Sequence, residues 1–282
     1  MNTRLAKIAT GLSLAIACAA TAQVHAGDLT DRVASGKSIR IGFANEEPFA
    51  FPDSNNQPVG FVNAIALGVL KQMGYDNIET VVTDWGGLIP GLQSGRFDLA
   101  TGGLYILKSR CASVTFSEPL AKVTDALIVK AGNPKGLTNY EDIAKKSAMM
   151  VTGIGYSNIE QAKKAGVPEA QIMQVPGQTE ILAAVEAGRA DAGASGYLLV
   201  QGLAAKSGGK VDVTDPDAMP ESSQNWVSIA FRGSDNDFVE KFNEAQKRYI
   251  GTPEMMKAVE PYGYDKKLLP GDKTAEWVCA NR

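Results

Sequence analysis

The sequence is poor in the residues that metal centres and nucleophilic triads use. Its 282 residues contain one histidine, His25, and three cysteines. A histidine-based triad, a histidine-rich metal cage and a cysteine-dense scaffold are all short of side chains, so we expect no bound metal and no cofactor. Lys and Arg total 28 against 31 Asp and Glu. No excess positive charge remains for a phosphate backbone, and nucleic acid is not expected as a partner.

The first 26 residues have the pattern of an export signal. Arg4 and Lys7 precede an uncharged apolar run over 8–22, and Ala26 ends a short stretch of the kind that a signal peptidase recognises. We expect cleavage after Ala26 and a periplasmic mature protein. A membrane anchor is less favoured because the run is short and rich in Ala, Thr and Gly. The residues before Cys18 also form a weak lipoprotein site, and the sequence leaves lipidation of Cys18 open.

A repeated motif organises the rest of the chain. The stretches 88–100 and 181–193 match, each containing Gly-Arg-x-Asp, at 95–98 and again at 188–191. In each copy, apolar residues at helical spacing lead into a glycine suited to ending a helix, followed by Asp and a short buried-strand pattern. We interpret each copy as a helix-turn-strand piece of an α/β unit, and we prefer two related lobes to coincidence.

Short apolar segments typical of strands alternate with helical patterns, which favours an α/β class with sheets sandwiched by helices. Strands are predicted at 39–44, 80–83, 126–130, 148–151 and 227–231, and helices at 62–73, 159–165, 238–250 and 253–261. Segments 125–132 and 225–233 are predicted to cross between lobes. Lobe 1 then comprises 27–132 and 227–282, and lobe 2 comprises 133–226. Two lobes joined in this way enclose a cleft that closes about a hinge.

The two cysteines of the mature chain are Cys111 and Cys279. In an oxidising compartment a structural disulfide is the default for such a pair, and a reactive thiol is the exception. We therefore expect them to be bonded. The bond would fasten the end of the chain to a segment in its first half.

Five runs carry a family resemblance: NEEPFAF (45–51), DWGGLIPGLQSGRFDLATGGLY (84–105), SRCASVTFSEP (109–119), ALIVKAGNP (126–134) and EPYGY (260–264). They resemble the periplasmic binding proteins of ABC importers for polar amino acids, and more narrowly the receptors for ectoine and hydroxyectoine. The resemblance implies a two-lobe, type II-like periplasmic binding protein fold with a two-strand hinge. It implies a monomer that holds a small zwitterionic solute in the cleft, delivers it to a permease with its ATPase, and catalyses no reaction.

The resemblance assigns the ligand carboxylate to two residues. Arg110 opens the run Arg-x-x-x-Val-x-Phe-Ser-x-Pro (110–119) and matches the arginine that pairs bidentately with that carboxylate, a task that suits a planar guanidinium. Ser157 and the free N–H groups of the glycine-rich loop 153–157 are expected to meet the same carboxylate when the lobes close.

Five further residues are expected to line the cavity, and the resemblance places three aromatic rings among them. Phe49, Trp85 and Tyr105 fall at pocket-lining positions, together with Gly103. Aromatic faces suit a delocalised or methylated cation, although core packing is the commoner role of any single ring. Glu46 is expected to accept hydrogen bonds from an N–H-bearing cation such as the ring of ectoine.

Two departures from the wider family bear on the ligand. Receptors for ordinary amino acids carry a second-lobe Asp for the ammonium, and here that place is near Gly196; Tyr105 stands where a hydroxyl residue often helps the arginine. The resemblance therefore favours a ligand whose positive charge is spread out. Another polar amino acid or a betaine-like zwitterion stays open as ligand. A periplasmic cyclohexadienyl dehydratase-like enzyme with Glu46 as general acid and a sensory module stay open as functions.

Overall fold

The computed structural model describes residues 29–282, so the predicted export signal, its cleavage after Ala26 and Cys18 lie outside the described residues. The helices are α1 (Leu29–Ala34), α2 (Phe61–Gln72), α3 (Leu88–Gln93), α4 (Lys108–Cys111), α5 (Tyr140–Lys145), α6 (Asn158–Lys164), α7 (Gln178–Glu186), α8 (Tyr197–Lys206), α9 (Asn236–Tyr249), α10 (Pro253–Val259) and α11 (Ala275–Asn281). The strands are β1 (Ile39–Phe43), β2 (Phe51–Pro52), β3 (Pro58–Val59), β4 (Ile78–Val82), β5 (Leu99–Ala100), β6 (Thr115–Phe116), β7 (Ala121–Lys130), β8 (Met150–Gly153), β9 (Ile172–Val175), β10 (Ala192–Gly196), β11 (Val211–Val213), β12 (Gln224–Val227) and β13 (Ala230–Phe231). Within residues 29–282, none of these helices has the length and apolar character that a membrane span requires.

The first lobe is built on a five-stranded sheet in the order β4-β1-β5-β13-β6. Strand β1 is parallel to β4 and β5, with Ile41 opposite Thr80 and Leu99. Strand β13 returns from late in the chain and runs antiparallel to β5 and β6. The parallel strands β4, β1 and β5 therefore deliver their carboxyl ends, and the loops that follow, to one edge of the sheet.

The second lobe has a sheet with the path β11-β7-β10-β8-β9. Strands β8, β9 and β10 are parallel, with Met150 opposite Ile172 and Ala192. Helices pack on both sheets, as the alternating pattern of the sequence predicts, and the α/β class with two sheet-containing lobes is confirmed.

Two strand segments connect the lobes. The first half of β7 pairs with β12, where Ala121 lies opposite Val227, and its second half pairs with β10 and β11, where Asp125 lies opposite Gly196. The second crossing, predicted over 225–233, consists of two short strands, β12 and β13. Between them, the Ser228 hydroxyl donates to Ser117 O at 2.7 Å. The lobe limits drawn from the sequence stay a prediction.

Helix α9 confirms the helix that the sequence predicts over 238–250. Phe238, Phe242, Ala245 and Tyr249 recur at helical spacing and are all buried. The ring of Phe242 lies 5.3 Å from that of Phe231 in β13. The apolar face of α9 thus covers the first sheet, while its polar face meets solvent.

The two copies of the repeated motif turn in the same way. Gly95 follows α3 and Gly188 follows α7, each with a φ of 70°. This left-handed conformation is the usual end of a helix and is open to glycine at little steric cost. The predicted role of the motif glycine is therefore confirmed in both copies.

The two motif aspartates also make the same hydrogen bonds. Asp98 Oδ2 accepts the N–H of Arg40 at 2.9 Å, and Asp191 Oδ2 accepts the N–H of Met149 at 2.8 Å. Each aspartate N–H donates in return to the carbonyl of that same residue, at 2.8 Å in both copies. The shared pattern supports the predicted relation between the lobes.

The charges around the two aspartates differ. Asp98 is fully buried, with Arg40 at 2.8 Å, Arg232 at 3.1 Å and Arg32 at 3.7 Å. Burial alone would raise the pKa of Asp98, but the hydrogen bonds and charge of Arg40 hold it below its usual value. Asp191 is partly exposed and pairs with Lys135 alone at 2.7 Å.

The predicted disulfide between Cys111 in α4 and Cys279 in α11 is present, with Cα atoms 5.9 Å apart and 168 positions apart in the sequence. The backbone N–H of Lys108 also donates to Arg282 O at 3.0 Å. The C-terminal helix is thereby fastened to the short helix that carries Arg110. The crosslink restricts the unfolded chain, which stabilises the fold.

Replacing the two motif aspartates should have unequal effects. We expect Asp98→Asn to lower the free energy of unfolding by about 3–5 kcal/mol, because it removes the buried carboxylate that Arg40, Arg232 and Arg32 share. Within residues 29–282, only Arg232 of these three also forms an ion pair with another acid, Asp235. Asp191→Asn, the matched control, should cost about 1 kcal/mol or less because its ion pair is solvated. Urea denaturation at pH 7 measures both. Equal losses would contradict this account.

Because the pKa of Asp98 is lowered, its contribution should disappear as the pH falls below about 4, the value of an unperturbed aspartate.

Candidate functional site

A cavity of ≈ 330 Å³, including its mouth, lies between the two lobes. This is near the lower end of the usual range for ligand pockets, about 300–1,000 Å³. Its lining residues are Glu46, Phe49, Trp85, Gly102, Gly103, Tyr105, Arg110, Tyr156, Ser157, Asn158, Ser195 and Leu199. All seven ligand-binding residues predicted from the sequence are in this set. The structure thus brings them together around one space.

The first lobe supplies its lining residues from loops at the ends of parallel strands. Glu46 and Phe49 lie in the loop after β1, Trp85 begins a 3-10 helix after β4, and Tyr105 follows β5. Neighbouring parallel strands end at one edge, so residues far apart in sequence meet there.

Gly103 is required by its surroundings as well as by its backbone. Its φ is 79°, in the left-handed region, and a Cβ at this position would lie 2.8 Å from the ring of Phe49. Glycine therefore lets the Phe49 ring pack directly against the chain on its way to Tyr105. Gly103 therefore contributes to the cavity lining because it has no side chain, and not by supplying a polar group.

Arg110 is a buried cation without an acidic partner. Its side chain donates from Nη1 to Tyr105 O at 2.9 Å and from Nη2 across the cleft to Gly155 O at 3.0 Å. Among residues 29–282, no carboxylate forms an ion pair with it; Glu160 acts only at longer range. Burial lowers the pKa of Arg110 to about 10, so the group keeps its charge at neutral pH. The cavity therefore presents an uncompensated positive charge.

Glu46 is a buried acid without a basic partner. Only 4% of its surface is exposed. Burial raises the pKa of Glu46 to about 7, the Tyr156 hydroxyl opposes that rise, and no basic side chain in the described part of the chain contributes. By hydrogen-bond geometry, Tyr156 Oη has no partner among the described residues. Both groups are available to a ligand.

Four rings line the cavity, one more than the sequence predicted. The additional ring is Tyr156, which packs edge-on against Trp85 with centroids 5.0 Å apart. Trp85 also lies 5.8 Å from the Arg110 guanidinium carbon, and its Nε1 is 3.4 Å from Gly155 O in the other lobe. Trp85 therefore lies at the guanidinium end of the cavity and spans the cleft.

The second-lobe loop differs from the prediction in one respect. The N–H groups of Ile154 and Tyr156 already donate to Val175 O and Gly153 O, so they do not face the cavity as free donors. The loop offers Arg110 the carbonyl of Gly155 instead. Ser157 precedes α6, and its hydroxyl makes no capping bond, so it is free to contact a ligand.

Below the cavity, a buried hydrogen-bond network joins the hinge to the second lobe. Asp125 in β7 accepts from Tyr140 Oη at 2.8 Å and from Asn225 in β12 at 3.1 Å. Asn158, a lining residue, donates to Tyr140 Oη at 2.8 Å. Burial raises the pKa of Asp125 to about 7, against the effect of these hydrogen bonds. The network ties both crossing strands to the cavity wall.

Sequence reasoning missed Gly102, Tyr156, Asn158, Ser195 and Leu199 as lining residues. Tyr156 belongs to the glycine-rich loop 153–157 that was singled out, so including every side chain of that loop would have found it. Asn158 is the next residue, the first of α6. Ser195 and Leu199 lie in β10 and α8, where small and apolar residues are ordinary core residues. No local signal separates them from core.

Glu47, the neighbour of Glu46, lies at the cleft rim. Its side chain is exposed, and it also forms an ion pair with Lys206 of α8 in the other lobe. Gln178 Nε2 makes a second contact of this kind, to Asn45 O at 3.0 Å. The lobes are therefore in contact along the cleft rim.

A family model described as bacterial extracellular solute-binding proteins, family 3, matches residues 39–265. A probable amino-acid ABC transporter periplasmic-binding protein of Sinorhizobium fredii is 32% identical, over 99% of this chain and 93% of that protein. These matches cover the two sheets and every lining residue of the cavity.

Two solved structures are also similar. The crystal structure of EhuB in complex with hydroxyectoine has a TM-score of 0.81 and 29% identity, and covers 89% of this chain and 98% of that one. The ancestral amino acid-binding protein AncCDT-1, a precursor of cyclohexadienyl dehydratase, has a TM-score of 0.71 and 29% identity, over 82% of this chain and 98% of that one.

The buried Glu46 carboxyl should make stability depend on pH. Its folded pKa, about 7, is above the ordinary 4.5, so burial of the neutral acid is tolerated at low pH and stability is lost as the pH rises through 7. Relative to Glu46→Gln, the wild type should lose about 2–3 kcal/mol of unfolding free energy between pH 5 and pH 8. Urea denaturation without ligand measures this.

The exposed neighbour provides the control for that comparison. Glu47→Gln should keep the same pH dependence as the wild type, because Glu46 is intact. A Glu46→Gln profile that runs parallel to the wild type would show that the Glu46 carboxyl is not buried in solution.

Proposed function

Because the chain belongs to family 3 of the bacterial extracellular solute-binding proteins, we propose that it captures ectoine or hydroxyectoine outside the cytoplasm for an ABC importer. The observation that carries the proposal is a buried guanidinium without an acid and a buried carboxyl without a base in one cavity. Arg110 lacks an acid and Glu46 lacks a base among the described residues. A molecule that carries both signs of charge compensates both of them.

The carboxylate of the ligand is bound by Arg110. Both terminal nitrogens are oriented by carbonyls, one from each side of the cleft, and a guanidinium held in this way presents its remaining N–H donors to a planar anion. Ser157 adds a hydroxyl donor from the second lobe. Since one ligand group then contacts both lobes, binding favours closure.

The positive end of the ligand rests among Phe49, Trp85, Tyr105 and Tyr156, with Glu46 as its hydrogen-bond acceptor. A ring face contributes about 0.5–2 kcal/mol to holding a cation, more where water is excluded. A delocalised ring cation with one or two N–H groups satisfies the Glu46 carboxylate and covers the rings. The ligand class is supported by the similar hydroxyectoine-bound EhuB, whereas the curated relative from Sinorhizobium fredii is described only as an amino-acid receptor.

A second candidate function rests on Glu46. A carboxylic acid with a pKa near 7 is suited to general acid catalysis, and one similar structure is a precursor of cyclohexadienyl dehydratase. We rank binding first because the surrounding rings favour retention of a cation over release of water or an anion. Ligand exchange in this family requires no covalent step.

The protein acts outside the cytoplasm and together with a membrane transporter. We propose a periplasmic receptor, monomeric, with cleavage of the predicted signal after Ala26. Its closed form docks on an inner-membrane permease, and the ATPase behind that permease drives release. The small zwitterion is the cargo, and no cofactor takes part.

Isothermal titration calorimetry with a panel of solutes tests the ligand class. Ectoine and hydroxyectoine should bind, while glutamine, histidine and lysine should bind at least about a hundredfold more weakly. Tryptophan fluorescence should change with the binders, and Trp85→Phe should abolish that change because the other two tryptophans lie outside the cavity. Tighter binding of an ordinary amino acid would overturn the ligand; turnover of prephenate or arogenate would make the protein an enzyme.

A conservative change at the guanidinium tests the carboxylate site. Arg110→Lys should weaken binding of the preferred solute by roughly a hundredfold, about 3 kcal/mol, because lysine is a point charge without a planar fork. Arg248→Lys changes an exposed arginine of α9 outside the cavity and should bind like the wild type. Unchanged affinity in Arg110→Lys would remove Arg110 from the site.

A further inference from the structure

The backbone conformation of Gly196 does not require a glycine. It ends β10, precedes α8, and has φ −58° and ψ 140°, a conformation open to any residue. It lies between two lining residues, Ser195 and Leu199. The reason for glycine here is therefore a neighbour rather than the chain conformation.

That neighbour is the hydroxyl of Tyr105. A Cβ at position 196 would lie well inside 3.0 Å of Tyr105 Oη, closer than real Cβ atoms approach. The other near atoms are at ordinary contact distances, Phe49 Cζ at 3.5 Å and Tyr105 Cζ at 3.8 Å. Of these three atoms, only the Tyr105 hydroxyl oxygen would clash with a Cβ at position 196.

Tyr105 is held firmly where it approaches Gly196. Its backbone forms a bridge to Val227 at the end of β12, and its carbonyl accepts from Arg110 Nη1 at 2.9 Å. Burial, followed by the charge of Asp125, raises the pKa of the Tyr105 hydroxyl well above its usual value, so the hydroxyl is neutral. The Tyr105 side chain extends from the first lobe, and its hydroxyl lies against the backbone of Gly196 in the second lobe.

We propose that the Tyr105 side chain is a wall across the cleft, completed by Gly196, and that this steric pair restricts the cavity to compact zwitterions. The proposal rests on the proposed function, since it assumes that this cavity holds the solute. Where the Tyr105 hydroxyl reaches Gly196, a ligand side chain has no room to extend between the lobes. A compact ring fits beside the wall, whereas an amino acid with a long side chain needs the space that the wall occupies.

The second-lobe lining agrees with this role. Tyr156, Ser157, Asn158, Ser195 and Leu199 carry no charge, and α8 points its amino terminus at this corner. One acid on this side, Asp125, lies opposite Gly196 in the strand pairing but is behind the lining, where it accepts hydrogen bonds from Tyr140 and Asn225. None of the second-lobe lining residues therefore offers a carboxylate to a distal ammonium or guanidinium. The wall and the uncharged lining both act against extended cationic side chains.

A double-mutant cycle tests the steric pair. Gly196→Ala should weaken binding of the wild type's preferred solute at least tenfold, because the new Cβ displaces the ring or holds the lobes apart. In a Tyr105→Phe background, which lacks the hydroxyl, the same Gly196→Ala change should cost less than threefold, whatever Tyr105→Phe does by itself. Equal costs in the two backgrounds would overturn the pair.

Crystal structures give a readout that needs no ligand affinity. In Gly196→Ala the ring at position 105 should be displaced or the lobes further apart, and in the double variant the wild-type arrangement should return. An undisplaced ring and unchanged lobes in Gly196→Ala would overturn the pair. If Gly196→Ala does not fold, the double variant should; a double variant that also fails to fold would overturn the pair as well.

Removing the wall tests the size limit. Tyr105→Ala should raise the affinity for glutamine and arginine themselves at least tenfold over the wild type, whatever it does to hydroxyectoine, whereas Tyr262→Ala, outside the cavity, should leave these affinities unchanged. No gain in affinity for glutamine or arginine in Tyr105→Ala would overturn the size limit. A wild-type protein that binds none of the solutes contradicts the proposed function instead, and the crystal structures still decide the pair.

Discussion

The Arg110 guanidinium is buried between the lobes, and the described residues supply it with carbonyl oxygens but no ion-paired carboxylate. A charge removed from water in this way is costly unless an anion compensates it. A disulfide and two carbonyl groups restrain the Arg110 backbone and side chain. The adjacent Cys111 is bonded to Cys279, and Tyr105 O and Gly155 O fix the plane of the fork. This arrangement supports the proposal that Arg110 binds the anionic group of a ligand.

Closure depends on few polar contacts. Arg110 and Trp85 both donate to Gly155 O, and at the rim Glu47 pairs with Lys206. Exposed ion pairs contribute little, typically under about 1 kcal/mol. Under the proposed function, a ligand that contacts both lobes would add a large share of the closing free energy. The buried Asp125 network fixes the geometry of the crossing strands between the lobes.

The two lobes use one local design with different reinforcement. Asp98 and Asp191 make the same backbone hydrogen bonds, yet Asp98 is enclosed by Arg40 and Arg232 while Asp191 has one solvated lysine. The first lobe, which supplies both buried ligand-site charges, is thus the more strongly braced. The second lobe supplies uncharged lining residues, which face the Arg110 and Glu46 side chains of the first lobe.

The sequence by itself determined the α/β class, the duplicated helix-turn-strand unit, the disulfide and the residues on loops after parallel strands, because periodicity, Gly-Arg-x-Asp and the quoted runs are local. It also supported Arg110 and Glu46 as the charged groups of the site. Tertiary structure alone decided which second-lobe side chains face them, as Ser195 and Leu199 show. It decided the environment of Glu46, whose raised pKa comes from burial, and the contact of Tyr105 with Gly196. These properties depend on how two separately folded surfaces meet, and no pattern within one segment encodes the distance between atoms of two lobes.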